Sequence, residues 1–263
     1  MRELFPFNYF YAQLSPKKMF AGRHTLNWAQ MLLVLLFLLA LNLLAIPFYF
    51  QKQTTVELKN YLPQVTELLQ DKKLQQVAHQ TPFRNGSYSF TKKEIIFEKQ
   101  NKLIALDETT TTAKKYAVAI ILQPRSFIFH EGSQTYRIFY QRSFPPNKGD
   151  IANQLTKSWY QQNKATLTFS MMALVLTIML VTDLIFILGG AFFLWLTRNS
   201  PLTDITTFKE ATNLMLNILG PASLLSAFLG FISFDIANLM LLQTFVLALS
   251  FILVYAQTHF KDQ

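Results

Sequence analysis

Of 263 residues, 51% are hydrophobic and 15% charged, and the apolar side chains gather in four blocks instead of scattering as a soluble core would. That distribution excludes an ordinary soluble fold, and the absence of cysteine excludes disulfide staples and thiolate metal sites. The formal charge of +9 lies in loops and in a long polar region beside an anionic bilayer, so it points to membrane lipid and not to nucleic acid.

In chain order, residues 1–27 set Arg2, Lys17, Lys18 and Arg23 against Glu3 and carry six aromatic residues, among them Tyr9, Phe10 and Tyr11. A signal peptide would place its apolar region nearer the start, so this stretch is predicted to lie along the cytoplasmic surface as an interfacial amphipathic segment. Residues 28–50 form the first transmembrane helix, anchored at its two ends by Trp28 and Tyr49, with Pro47 bending its exit. Asn42 lies at hydrocarbon depth and is assigned a helix–helix hydrogen bond.

Residues 51–165 carry 17 Lys plus Arg against 9 Asp plus Glu and have the length of one small domain. Val56, Tyr61, Val65, Leu68, Leu69 and Val77 recur at helical spacing, which predicts helix over 54–80. Strand candidates follow at 87–90, 94–98, 103–106, 116–122, 126–130 and 135–140, separated by turn signals that include Asn85-Gly86, Pro124-Arg125 and Glu131-Gly132-Ser133. Pro145-Pro146 and Lys148-Gly149 close the strand region. Ile151, Leu155, Trp159 and Tyr160 then form an apolar stripe on a helix running into the next block. Asn85-Gly86-Ser87 formally matches a glycosylation acceptor and is read as a turn.

Residues 166–196 are the second transmembrane helix, 31 residues with Asp183 as the one internal charge, and the element expected to organise the chain. A cytoplasmic loop (197–211), a third helix (212–233, interrupted at Gly220-Pro221), a fourth helix (236–257) and a cytoplasmic tail (258–263) complete the chain. The short 233–235 connection makes the last two helices an antiparallel hairpin. The expected fold is a membrane α-helical bundle with an inserted extracytoplasmic α+β domain. The short loops rich in Lys and Arg put both termini on the cytoplasmic side of a bacterial plasma membrane, with 51–165 outside.

No catalytic constellation, phosphate loop or metal-ligand spacing emerges, so no cofactor is expected and His24, His79, His130 and His259 read as surface histidines. Asp183 should face protein, water or an interface, or take a proton, because an ionised carboxylate facing lipid is costly. Asn213 and Asn217, one turn apart and in line with Glu210 and Gly220, form a polar face able to meet Asp183, and Pro221 kinks the same helix. Gly189 and Gly190 are expected to permit close packing. Trp159, Glu210 and Asp235 are candidate partner contacts.

Three regions carry a resemblance: Phe10-Tyr11 through Leu14-Ser15-Pro16-Lys17-Lys18 with Arg23 beyond; Tyr88-Ser89-Phe90-Thr91-Lys92-Lys93-Glu94 before Leu103-Ile104-Ala105-Leu106-Asp107; and Phe208-Lys209-Glu210-Ala211 leading into Gly220-Pro221-Ala222. Together they resemble the maltodextrin-utilisation membrane proteins of Gram-positive bacteria, although Lys93 stands where that family often has glycine. The resemblance implies a multi-pass protein of carbohydrate transport and supplies no catalytic residues. The expected function is a non-catalytic accessory or regulatory subunit associated with an ATP-driven maltodextrin importer, contacting its permease subunits or its extracellular sugar-binding protein. An autonomous transporter or channel centred on Asp183, and an envelope sensor, are the alternatives.

Overall fold

The computed structural model describes residues 4–141, 144, 150–201 and 203–262. Arg2 and Glu3 of the topology argument, and the turn at 145–149, lie outside the described residues. The chain divides into two compact units, one of residues 1–52 and 167–263, the other of residues 53–166.

In the first unit, the short helices α1 (Phe7–Ala12) and α2 (Pro16–Ala21) precede α3 (Trp28–Leu43) and α4 (Ala45–Lys52). Asn27 starts α3 through a reciprocal cap with Gln30, its side chain accepting the Gln30 N–H and Gln30 returning the bond to the Asn27 N–H, both at 2.9 Å. The break at Leu44 follows from Pro47, which has no N–H to offer the carbonyl of Leu43. Later in the chain, α8 (Ile151–Leu184), a π turn (Ile185–Gly189) and α9 (Gly190–Leu196) form one continuous run, followed by α10 (Phe208–Ile232) and α11 (Ile236–Thr258). Among the described residues, four helical segments, Trp28–Lys52, Ile151–Leu196, Phe208–Ile232 and Ile236–Thr258, are long and apolar enough to cross a membrane. Leu33, Phe169, Phe193, Phe228, Leu241 and Phe245 are exposed along them, as side chains facing lipid are.

The hub of this unit is α10, the most buried of the four, and not the 166–196 stretch. Small residues explain this: Ala222, Ser226 and Gly230 recur every fourth position, and all are buried. A methyl group added at Gly230 would come within 3.0 Å of Ala45 Cβ, so helix backbones meet there at close range. Contrary to the expected interruption, α10 runs unbroken through Gly220 and Pro221. The carbonyl that Pro221 leaves without an N–H is that of Asn217; one residue earlier, the Tyr9 hydroxyl donates to the Leu216 carbonyl at 3.4 Å and ties the N-terminal segment to this stretch.

In the second unit, the expected helix over 54–80 is three pieces: a 3-10 turn (Leu58–Asn60), α5 (Pro63–Leu69) and α6 (Lys72–Gln80). Pro63 opens α5, and Asp71 ends the run by capping α6, its carboxylate accepting the Lys73 N–H at 2.7 Å. A hairpin of β1 (Phe83–Arg84) and β2 (Ser87–Tyr88) turns at Asn85-Gly86, both with positive φ. The main sheet contains β3 (Glu94–Lys99), β4 (Lys102–Leu106), β5 (Val118–Leu122), β6 (Ser126–Glu131) and β7 (Gln134–Phe139), in that spatial order. All its pairings are antiparallel except β4–β5, which a crossover through α7 (Thr110–Ala113) makes parallel.

One sheet face, with Leu103, Ala105, Ala119, Ile121 and Ile128, packs with Ala113 of α7. On the other face, Tyr61 and Tyr136 hold Trp159 of α8, ring centroids 5.7 and 5.5 Å away. Glu131, at the end of β6, accepts the Val65 N–H at 2.9 Å and the Gln64 N–H at 3.2 Å, capping α5 with a carboxylate where Leu62 provides no side-chain cap. Gln162 of α8 closes the β7 edge, accepting from the Phe139 N–H at 3.0 Å and donating to its carbonyl at 2.7 Å.

Candidate functional site

Asp183 is 1% exposed, in the last turn of α8 before the π turn. Gln243 of α11 donates Nε2–H to Asp183 Oδ1 at 2.7 Å and lies 3.4 Å from the Ser223 hydroxyl of α10. Three helices thus meet at one buried carboxylate, carboxamide and hydroxyl. The second oxygen, Oδ2, has no hydrogen-bond partner among the described residues. Interhelical hydrogen bonds in membranes average about 0.6 kcal/mol, so this cluster fixes how the helices register and does not supply most of their cohesion. The wide turn after Asp183 is a geometry that recurs at functional sites.

The expected partners of Asp183 lie elsewhere. Asn217 donates to the Met19 carbonyl at 3.0 Å and so ties α10 to the N-terminal segment. Asn213 is fully buried, and neither of its side-chain polar atoms has a partner among the described residues. Asn42 donates to the Leu38 carbonyl of its own helix at 3.0 Å, where a bond to another helix was expected. Of the two glycines in the π-turn region, Gly190 packs closely, because a Cβ there would meet Met215 Cε at 2.5 Å, whereas Gly189 has open space around it. Gly220 also packs closely, since a Cβ there would collide with Tyr9 and Gln13.

The three candidate partner contacts are all engaged within their own units. Trp159 is a fully buried core residue. Glu210 accepts from the Thr206 N–H at 3.0 Å and sits 3.8 Å from His24 Nδ1. Asp235 caps α11 through the Asn238 N–H at 2.9 Å. His79 is exposed as expected, but His130 is buried, its Nδ1 2.7 Å from Thr135 Oγ1, because β6 lies inside the sheet with both faces covered.

Sequence reasoning missed a second cluster. Arg23 is buried, stacks 4.0 Å over the Phe20 ring and places Nη2 2.6 Å from Asp262 Oδ2 in the tail. That hydrogen bond, with the attraction of the guanidinium, holds the Asp262 carboxyl below the usual carboxylate range. Asp204 in turn accepts the Asp262 N–H at 2.7 Å and donates its own N–H to the Phe260 carbonyl at 2.8 Å. The N-terminal segment, the 203–207 loop and the C-terminal tail therefore form one hydrogen-bonded cap. Gln243 was findable as the amide in the middle of an otherwise apolar run; the Arg23–Asp262 pair left no local signal.

Fold and buried polar cluster together define a membrane protein of four candidate spans with an α+β domain inserted after the first. The chain belongs to the family described as "Protein of unknown function (DUF1189)", which matches residues 15–256. It is 24% identical over 263 residues to the maltodextrose utilization protein MalA of Streptococcus pneumoniae (strain ATCC BAA-255 / R6), covering 98% of this chain and 97% of that one. It is also 24% identical over 248 residues to the putative maltodextrin utilization protein YvdJ of Bacillus subtilis (strain 168), covering 89% of this chain and 83% of the relative. The resemblance carried by the short motifs thus extends along almost the whole chain. No solved structure matches it.

Proposed function

We propose that this protein is a non-catalytic accessory subunit of an ATP-driven maltodextrin importer, with the helical bundle beside the permease and residues 51–165 on the outer side. The observation that carries the reading is the near full-length relationship to proteins named for maltodextrose and maltodextrin utilisation. The bundle is consistent with it: its one carboxylate at hydrocarbon depth is engaged by Gln243, an arrangement suited to holding helices in register for a partner. The meeting of the N-terminal segment, the 203–207 loop and the tail supports a topology of four crossings with those three segments on one side, and the basic residues of the short loops favour the cytoplasmic one. Affinity purification from native membranes tests the proposal: permease or binding-protein subunits should be recovered in stoichiometric amounts, and their absence at every detergent condition that keeps the protein folded would reject it.

The free Oδ2 of Asp183 favours one second reading, in which the carboxylate exchanges a proton during transport. Purified protein in sealed liposomes separates the two, since only the second reading yields proton-coupled uptake without a partner.

A further inference from the structure

Between α1, α2 and the turn that follows them lies a cavity of ≈ 400 Å³, with Asn8, Tyr11, Lys18, Ala21 and Thr25 in its lining. That volume falls within the range of small-molecule sites. The Lys18 ammonium sits 4.1 Å over the Tyr11 ring, and among the described residues it pairs with no carboxylate. The acids gathered at the terminal cap are already committed: Asp262 to Arg23, Asp204 to the Asp262 N–H, and Glu210 to Thr206 beside His24. Residues 4–27 contain no Asp or Glu. A lysine without a counter-charge therefore lines a concave site that also offers the Asn8 amide, whose one donated bond, to the Thr25 carbonyl, is long at 3.5 Å.

The same short segment exposes Leu4, Phe7, Phe10 and Leu14. Four exposed apolar side chains around two short helices, with lysines beside them, are what a segment at the boundary of headgroups and acyl chains presents. A cavity at that depth would meet phosphate and acyl chain together. We propose that it binds the headgroup of an anionic phospholipid, with Lys18 contacting the phosphate and Asn8 completing the contact. Lysine near a membrane surface contributes enough attraction to make its loss visible, about fivefold in affinity. The site is independent of the importer reading, because it requires no partner protein.

The test uses the full-length protein in detergent, titrated with dioctanoyl phosphatidylglycerol, dioctanoyl phosphatidylcholine or inorganic phosphate while thermal unfolding is followed. Phosphatidylglycerol should raise the melting temperature saturably, and the other two should not. Lys18→Gln should weaken that response about fivefold, whereas Lys209→Gln, at an exposed site in the first turn of α10, should leave it unchanged. Ala21→Phe keeps every charge but fills the cavity, and should abolish the response while leaving the lipid-free melt intact; it decides the matter if Lys18→Gln proves unstable. An equal response to phosphatidylcholine would mean acyl-chain occupancy alone, an equal response to phosphate would mean a free-anion site, and equal losses in Lys18→Gln and Lys209→Gln would mean general surface charge. Any of these overturns the proposal, as does a full response in Ala21→Phe.

Discussion

Gln243 donates to Asp183 across 2.7 Å, joining residues 60 positions apart in two different helices. The bond gives the carboxylate a partner without giving it a counter-ion, which distinguishes a register pin from an ion pair. Asp183→Asn should therefore keep most of the thermal stability in detergent, because an amide preserves the hydrogen-bonding capacity. Asp183→Leu and Gln243→Leu should each cost about 0.6–1.7 kcal/mol, and the double variant should cost less than the sum, since the two residues share one interaction. Strict additivity in that cycle would show that the two side chains do not couple. Partner recovery should follow the same order as stability; uptake abolished by Asp183→Asn in a well-folded protein would support the proton-exchange reading instead.

The Arg23–Asp262 pair gives the terminal cap a pH dependence with a definite sign. Because the folded protein holds the Asp262 carboxyl below its ordinary value, the pair contributes stability above about pH 4, and this is lost as pH falls through the depressed value. Asp262 is largely exposed, so solvent screening keeps the contribution small. Melting curves of wild type and Asp262→Asn should converge toward acidic pH and separate modestly near neutrality. Arg23→Ala should be the more damaging substitution, since it also removes the stack on Phe20 and leaves a space in a buried site.

The α+β unit is expected to fold as an isolated fragment of residues 53–166, unaffected by chelator, with Trp159→Ala costing about 3–5 kcal/mol in a denaturant melt. An alkaline limit to its stability is expected from two buried phenols. Tyr88 and Tyr140 lie in a cluster with Phe83 and Phe127, and burial pushes both phenols above the ordinary tyrosine value. The stability tied to their neutral forms is fully present below about pH 10 and is lost as pH rises toward the raised values. Tyr88→Phe should therefore move the alkaline unfolding midpoint upward. An unchanged midpoint in both Tyr88→Phe and Tyr140→Phe would assign the alkaline limb to other groups.

Sidedness is testable with single cysteines in a chain that has none of its own. Lys93→Cys is a better external probe than Asn85, because Asn85 has a positive φ that a cysteine would strain, whereas Lys93 is exposed immediately before β3. A membrane-impermeant reagent should label Lys93→Cys in intact cells and reach Asn199→Cys only after lysis. Labelling of Asn199→Cys in intact cells would defeat the four-crossing arrangement.

Much of the architecture was legible because it depends on local properties. The runs at 28–50 and 236–257 fall within helices long and apolar enough to cross a membrane, a property that apolar length alone announces, and Asn85-Gly86 announces a turn because both positions need positive φ. Alternation placed the strands at Glu94–Lys99 and Ser126–Glu131 to within a residue or so. Where prediction failed, a local signal had a tertiary competitor. The helical period over 54–80 was real, but Pro63 and the Asp71 cap divide it, and Glu131 from the far end of the sheet supplies the cap of α5. Trp159 looked like a contact site because an aromatic on an amphipathic stripe has the same pattern whether its face meets a partner or its own sheet. Asn213 and Asn217 looked like partners for Asp183 because both stretches are polar interruptions in apolar runs; only packing decided that Gln243 faces the carboxylate, with Ser223 against Gln243, while Asn217 faces Met19. Hydropathy and alternation are read residue by residue along the chain, so the sequence determined which segments are apolar and long enough to cross a membrane and which pair as strands. Which helix becomes the hub depends on how closely backbones can approach, and the pairing of Arg23 with Asp262, 239 positions away, depends on loops and tail converging at one place. Those are properties of the assembled three-dimensional packing, and they were decided there.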